Sequence, residues 1–286
     1  MTYNDDNPTI STICNETKKY LEGNNNLIGK KIYDHFCNTM NTTITDIRSI
    51  GGGMNNHYDF QIKIKDNDKW YNVESKHTRT LSPVNKFKLP WDKSVQVLNG
   101  IGKHYNIGMI YAEEFYKILP DIKEHYKIKA AIPNFDEWSK DAFKCGDPKT
   151  QFVCELKNTY RTLYPGKTSL NGYKHAGIDW RTKYLEKVLE RINNNDIKTE
   201  FLIQINSRLS EIFNDKHYFL TTSGNIINND FNVRWWSSIN FINFTNVEFI
   251  KKKDIIIKYS NSNKTLKGVL RWGKGCGFTN IRVDAK

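Results

Sequence analysis

Long apolar runs are missing from this 286-residue chain. No stretch reaches about 18 apolar residues, so no transmembrane helix and no membrane partner are expected. A secretory leader is missing as well: the opening MTYNDDNPTISTICNETKKY has no basic segment followed by an apolar one, and the expectation is a protein that is not secreted. Cysteine is scarce and unpatterned. Cys14, Cys37, Cys145, Cys154 and Cys276 are odd in number and never spaced as CxxC, which argues against a disulfide framework and a structural zinc site. An intracellular setting, cytoplasm or nucleus, follows from that usage. Acid is short relative to base: Lys plus Arg number 43 against 31 Asp plus Glu, a net charge of +12, which suits a polyanionic partner.

Several familiar motifs are also lacking. Pro165-Gly166-Lys167-Thr168 is similar to the end of a P-loop, but the glycine required five residues before Gly166 is Arg161, and no strand precedes it. The seven histidines show no H-E-x-x-H spacing and no pairing of the HNH-nuclease kind. The sequons at Asn15 and Asn243 have no leader to give them meaning.

What is present is concentrated in residues 51–77. Gly51, Gly52 and Gly53 permit positive φ and close approach of backbone to a ligand such as a DNA phosphate. The segment from Tyr58 to Thr78 predicts a β-hairpin turning at Asp66-Asn67, residue types that tolerate positive φ. In that register Asp59 lies opposite Glu74, and opposed residues share a face. The apolar pattern selects the same register: Phe60, Ile62 and Ile64 fall with Tyr71 and Val73, while Asp59, Gln61 and Lys63 fall with Trp70, Asn72, Glu74 and Lys76. His57 falls on the Asp59 face and His77 on the other, which favours His57 as a phosphate or base contact, together with Gly52, Gly53 and Asn56.

An acidic-x-Lys triplet is common here: Glu16-Lys18, Asp121-Lys123, Asp147-Lys149, Glu155-Lys157, Asp196-Lys198 and Asp284-Lys286 all have it. Only Glu74-Ser75-Lys76 follows a hairpin partner that supplies an Asp. With Asp59 it resembles the PD-(D/E)xK nuclease superfamily, the fold of most type II restriction endonucleases. The resemblance spans roughly residues 25–110, and Tyr58 stands where the family's Pro would be. It implies an α/β restriction-endonuclease-like core, a mixed sheet flanked by helices, and a Mg²⁺-dependent endonuclease acting on double-stranded DNA, with Mn²⁺ able to substitute. Asp59, Glu74 and the Ser75 carbonyl would be metal ligands, and Lys76 would act on the attacking water. Family members often add an acid from the first helix, for which Glu16 and Glu22 are candidates; Gln96 is a second-layer candidate. A restriction enzyme would act as a homodimer on a palindrome. The alternatives are a non-catalytic DNA-binding protein, or a repair or junction nuclease on the same fold.

Around the motif, helical spacing covers Leu27–Met40 and a strand is expected over Ile44–Ile50. A helix is expected over residues 91–105. Either Ile107–Tyr111 or His217–Thr222 supplies the fourth core strand. Residues 113–215 read as mostly helical, with Leu185–Ile192 and Phe201–Phe213 most clearly amphipathic. The expected division is a nuclease core over 1–230 with the helical segment 113–215, then a basic β-rich region over 231–286. In that last region Lys252, Arg271 and Lys274 are candidate DNA contacts, with Arg234, Arg271 and Arg282 suited to base reading because arginine bonds guanine bidentately.

Overall fold

A computed structural model describes residues 7–50, 58–84, 105–143, 147–166, 177–237, 243–262, 265–272 and 281–283. The expectations for Gly51, Gly52, Gly53, Asn56, His57, Gln96 and Lys274, for the helix over 91–105 (of which only Tyr105 is described), and for the side chain of Arg282 lie outside the described residues. The chain divides into two compact units. The first comprises residues 1–94 and 209–241, and the second 95–208 and 242–286.

The first unit is α/β. Helices α1 (Asn7–Leu21) and α2 (Leu27–Met40) precede strands β1 (Ile44–Ser49), β2 (Phe60–Ile64) and β3 (Asn67–Thr78); β4 (Tyr218–Asn225) and β5 (Asp230–Ser237) complete it. The five strands form one mixed sheet in the order β1-β2-β3-β4-β5. The first three run antiparallel, β4 is parallel to β3, and β5 is antiparallel to β4. One open choice is decided here. His217–Thr222 corresponds to the strand, since β4 begins at Tyr218, whereas Ile107–Tyr111 is helical. Residues 230–237 pair with β4, so the strand carrying Arg234 belongs to the first sheet rather than to the strands after residue 245.

The hairpin register is as the apolar pattern required, with Phe60, Gln61 and Ile62 opposite Val73, Asn72 and Tyr71. The turn itself differs. Ile64 pairs with Asn67, so Lys65-Asp66 form the turn, with Asp66 at φ 64°. A bulge between Asn67 and Tyr71 absorbs the offset. Burying the apolar face fixes the body of the hairpin, and a solvated turn yields to it.

That apolar face is the core of the unit. Phe60, Ile62, Val73, Leu220, Val233 and Trp235 pack with Ile13 of α1 and with Ile32 and Phe36 of α2. Phe36 meets Trp235 edge-on at 5.0 Å, and the Trp235 Nε1 donates to the Ile32 carbonyl at 3.2 Å. The two helices cross so closely that a Cβ on Gly29 would stand 2.1 Å from the Glu16 carbonyl oxygen, and only glycine fits there.

The second unit holds α3 (Asn106–Tyr116), α4 (Leu119–Tyr126), α5 (Phe135–Ala142), α6 (Gln151–Leu163), α7 (Leu185–Ile192) and most of α8 (Asn195–Asn214), whose end from Leu209 counts with the first unit. Helix α3 explains why Ile107–Tyr111 is compatible with a strand in sequence. Ile107, Ile110, Tyr111 and Phe115 are all buried, and so are Gly108 and Ala112, so a helix enclosed nearly all round presents the unbroken apolar run of a buried strand. Strands β6 (Asn246–Lys251), β7 (Ile255–Ser260), β8 (Thr265–Trp272) and β9 (Ile281–Val283) form an antiparallel sheet in sequence order. Its buried face contributes Phe249, Tyr259 and Trp272 to an aromatic core with Phe201, Phe115 and Tyr184. No helix among the described residues is long and apolar enough to cross a membrane.

Candidate active site

Strand alternation sends Asn72, Glu74 and Lys76 to the side of β3 away from the core. Glu74 is nonetheless only 6% exposed. Its Oε1 takes an ion pair from Lys76 at 2.5 Å and its Oε2 one from Lys216 at 3.0 Å. Burial pushes the Glu74 carboxyl up, but the two ammonium groups outweigh it and hold it below the ordinary glutamate range. The two lysines differ in exposure: the Lys76 side chain is 34% exposed, that of Lys216 only 5%.

Asp59 stands immediately before β2. Its backbone N–H donates to the Val73 carbonyl at 2.9 Å, and its Oδ2 accepts from the Ser75 N–H at 2.6 Å. The residue between Glu74 and Lys76 therefore aims Asp59 through its backbone. Burial raises the Asp59 carboxyl to about 6, and the negative charge of Glu74 adds to the rise, against the pull of Lys76, the Ser75 N–H and Lys216. Opposite displacement of two neighbouring carboxylates, beside a lysine, makes Asp59 and Glu74 the candidate site.

Lys216 was not found from sequence, and its position explains why. The segment Asp215-Lys216-His217 docks on β3 by four hydrogen bonds to Asn72. The Asn72 Nδ2 donates to the Asp215 carbonyl at 2.8 Å and to its Oδ1 at 2.9 Å, while backbone N–H groups of Asn72 and His217 donate to the His217 Nδ1 and the Asn72 carbonyl, each at 3.0 Å. A partner brought in by the parallel β3–β4 pairing has no local signal beside Glu74.

The first-helix acids lie elsewhere. Glu16 accepts from Lys19 at 2.7 Å and from the Asn26 side chain, tying α1 to α2, and Glu22 is exposed just past the end of α1. The α1 residue electrostatically coupled to Asp59 is Cys14, whose thiol is pushed up to about 12 by burial and by the Asp59 charge. His77 points away from Glu74 and shares a 3.0 Å hydrogen bond with Thr222.

A hard divalent cation would find oxygen ligands here in Asp59, Glu74 and the Ser75 carbonyl. Mg²⁺ commonly takes one or two carboxylates and keeps several waters, so two acids suffice. The lysines set a condition: one must leave Glu74 for a cation to approach, and Lys76 is the exposed one. Among the described residues no group of three His, Cys, Asp or Glu side chains is placed to hold a metal.

The expected DNA contacts divide. Lys252 is exposed in the β6–β7 turn. Arg271, half-buried on β8, acts with Arg181 and Lys253 on Asp254, whose carboxyl burial raises and those cations lower, with a net rise. Arg234 lies over Trp236 at 5.0 Å and reaches the Val84 carbonyl at 3.5 Å. No family model, no curated protein and no solved structure matches this chain.

Proposed function

We propose that the protein is a Mg²⁺-dependent endonuclease that hydrolyses phosphodiester bonds of double-stranded DNA on a restriction-endonuclease-like core. The observation that carries this reading is the pairing of Asp59, raised to about 6, with Glu74, lowered and ion-paired to Lys76 at 2.5 Å, at one point of a mixed sheet. The strand order supports it. A helix, three strands, a helical stretch and then a further strand joining the same mixed sheet follow the chain order of the PD-(D/E)xK core.

Asp59, Glu74 and the Ser75 carbonyl would hold the cation. When bound, Mg²⁺ or Mn²⁺ lowers the pKa of water and offsets negative charge on the phosphate. The Ser75 N–H keeps the Asp59 carboxylate oriented, and Lys216 keeps Glu74 ionised while it is buried. Lys76, freed from Glu74, orients the attacking water and stabilises the charge that builds on the phosphate oxygens. Cutting both strands of a palindrome would take a homodimer.

One observation favours a second reading, a DNA-binding protein without catalysis. Both Glu74 oxygens are already occupied by lysines, as they would be in a charge cluster that only holds the fold together. Plasmid incubated with the purified protein, with Mg²⁺ and with chelator, separates the two. Metal-dependent nicking or linearisation is expected, and Glu74→Gln should slow it by roughly a hundredfold to a thousandfold while DNA binding persists. Binding without any Mg²⁺- or Mn²⁺-dependent cleavage would establish the second reading, and full activity in Glu74→Gln would remove Glu74 from the mechanism.

A further inference from the structure

We propose that Arg48, Lys63 and Trp70 form a subsite for a backbone phosphate of the bound nucleic acid, a few nucleotides from the acidic pair. The inference rests on the reading of the Asp59–Glu74 face as the nucleic-acid face, and names a contact on it that no sequence motif indicated. Arg48 on β1 is paired with Gln61 on β2, and Gln61 with Asn72 on β3. Side chains follow the backbone pairing: the Arg48 Nε donates to Gln61 Oε1 at 2.8 Å, and the Gln61 Nε2 donates to Asn72 Oδ1 at 2.7 Å. Because Asn72 and Glu74 alternate to the same side of β3, Arg48 stands on the face that carries Glu74.

Trp70 is the floor of the subsite. It lies in the β3 bulge, half-buried, with the Arg48 guanidinium 4.1 Å and the Lys63 ammonium 5.2 Å from its ring centroid. An aromatic face attracts cations without neutralising them, so both keep their full charge for an anion. Among the described residues neither cation is ion-paired with a carboxylate, in contrast to Lys251 with Glu186 and Lys258 with Glu248. Gln61 occupies only the Nε of Arg48, which leaves the terminal nitrogens of the fork, the part suited to phosphate oxygens.

Trp70 precedes Glu74 by four residues, about 13 Å along a strand, which is a few nucleotides of backbone. Arg48 is also physically joined to the site. Gln61 leads to Asn72, Asn72 to Asp215, and Asp215 is the neighbour of Lys216, which holds Glu74. A phosphate seated on Arg48 would thus steady the same network that places Lys216.

The test is equilibrium binding of a labelled duplex oligonucleotide in chelator, where nothing can be cut, across a salt series. Arg48→Gln and Lys63→Gln should each weaken binding roughly threefold to tenfold and lower the log–log salt slope, and the double variant should lower it by about 0.9, the share of one phosphate. Trp70→Leu should weaken it too, whereas Trp70→Phe, which keeps an aromatic floor, should retain most of the affinity. Lys18→Gln removes the same charge from the exposed side of α1 and sets the baseline. Wild-type binding with unchanged affinity and slope in both Arg48→Gln and Lys63→Gln would overturn the subsite and leave the nuclease reading standing. The expected losses in a protein that never cuts with Mg²⁺ would keep the subsite and overturn the nuclease. No wild-type binding would overturn the subsite and leave the nuclease reading to the plasmid assay.

Discussion

On the five-stranded sheet, Glu74 is 6% exposed and shared by two lysines, one of them as buried as itself. On the four-stranded sheet, Glu248 holds Lys258 at 2.8 Å with side chains 54% and 35% exposed. The residue types are the same, yet the physics differs. In the second sheet water screens the pair, and such bridges are worth little. In the first, burial makes each charge costly unless its partners stay, so a carboxylate there is either tightly held or displaced in pKa. Exposure, rather than the count of basic residues, separates a strongly coupled charge from a solvated one, and the polar face of the first sheet carries the coupled kind.

Four changes would break or sharpen this comparison. The largest effect is expected from Glu74→Leu, which strands Lys216 in a buried position and should cost about 3–5 kcal/mol of unfolding free energy. Adding Lys216→Met should recover most of that loss in denaturant titrations; a double variant as unstable as the single one would mean that the two side chains are not coupled.

The next is Asp59→Asn. Its native carboxyl titrates near 6 rather than near the ordinary aspartate value, so the native state binds its proton more tightly than the unfolded chain does. Stability from this group is therefore fully present below about pH 4 and is lost as the pH rises through about 6. Asp59→Asn should thus raise stability by about 2–3 kcal/mol at neutral pH, with the gain vanishing below about pH 4, while cleavage is lost. Thermal melts over that pH range read it directly, and an equal effect at both ends would contradict the burial argument.

The smallest effect belongs to the second sheet. Lys258→Ala should change stability by under about 1 kcal/mol. Lys252→Gln, if that turn meets phosphate, should flatten the salt dependence of DNA binding by about 0.9 without altering sequence preference.

How much of this was legible beforehand varies by element. The helix over Leu27–Met40 is bounded as its spacing indicated, with Asn26 accepting from the Gly29 N–H at its start and Asn41 left-handed at its end. Strand β1 and the body of the β2–β3 hairpin were equally plain, because each has one face that must be buried. The turn was misplaced by one residue, since Lys65, Asp66 and Asn67 are all solvated and only the bulge decides which of them turn. Ile107–Tyr111 was ambiguous for the opposite reason: when every side of an element is buried, periodicity vanishes.

The sequence by itself determined that Asp59, Glu74 and Lys76 lie on one hairpin, because two-residue alternation and an apolar face are local properties. Only the tertiary structure decided which strand pairs with β3, that Lys216 closes the site, and that Arg48 sits over Trp70. Those contacts come from strands distant in the chain or from a bulge in the ladder, and no local pattern of residues encodes a partner that pairing alone brings near. The displaced pKa of Asp59 belongs with them, since burial is a property of the packed molecule and not of the residue.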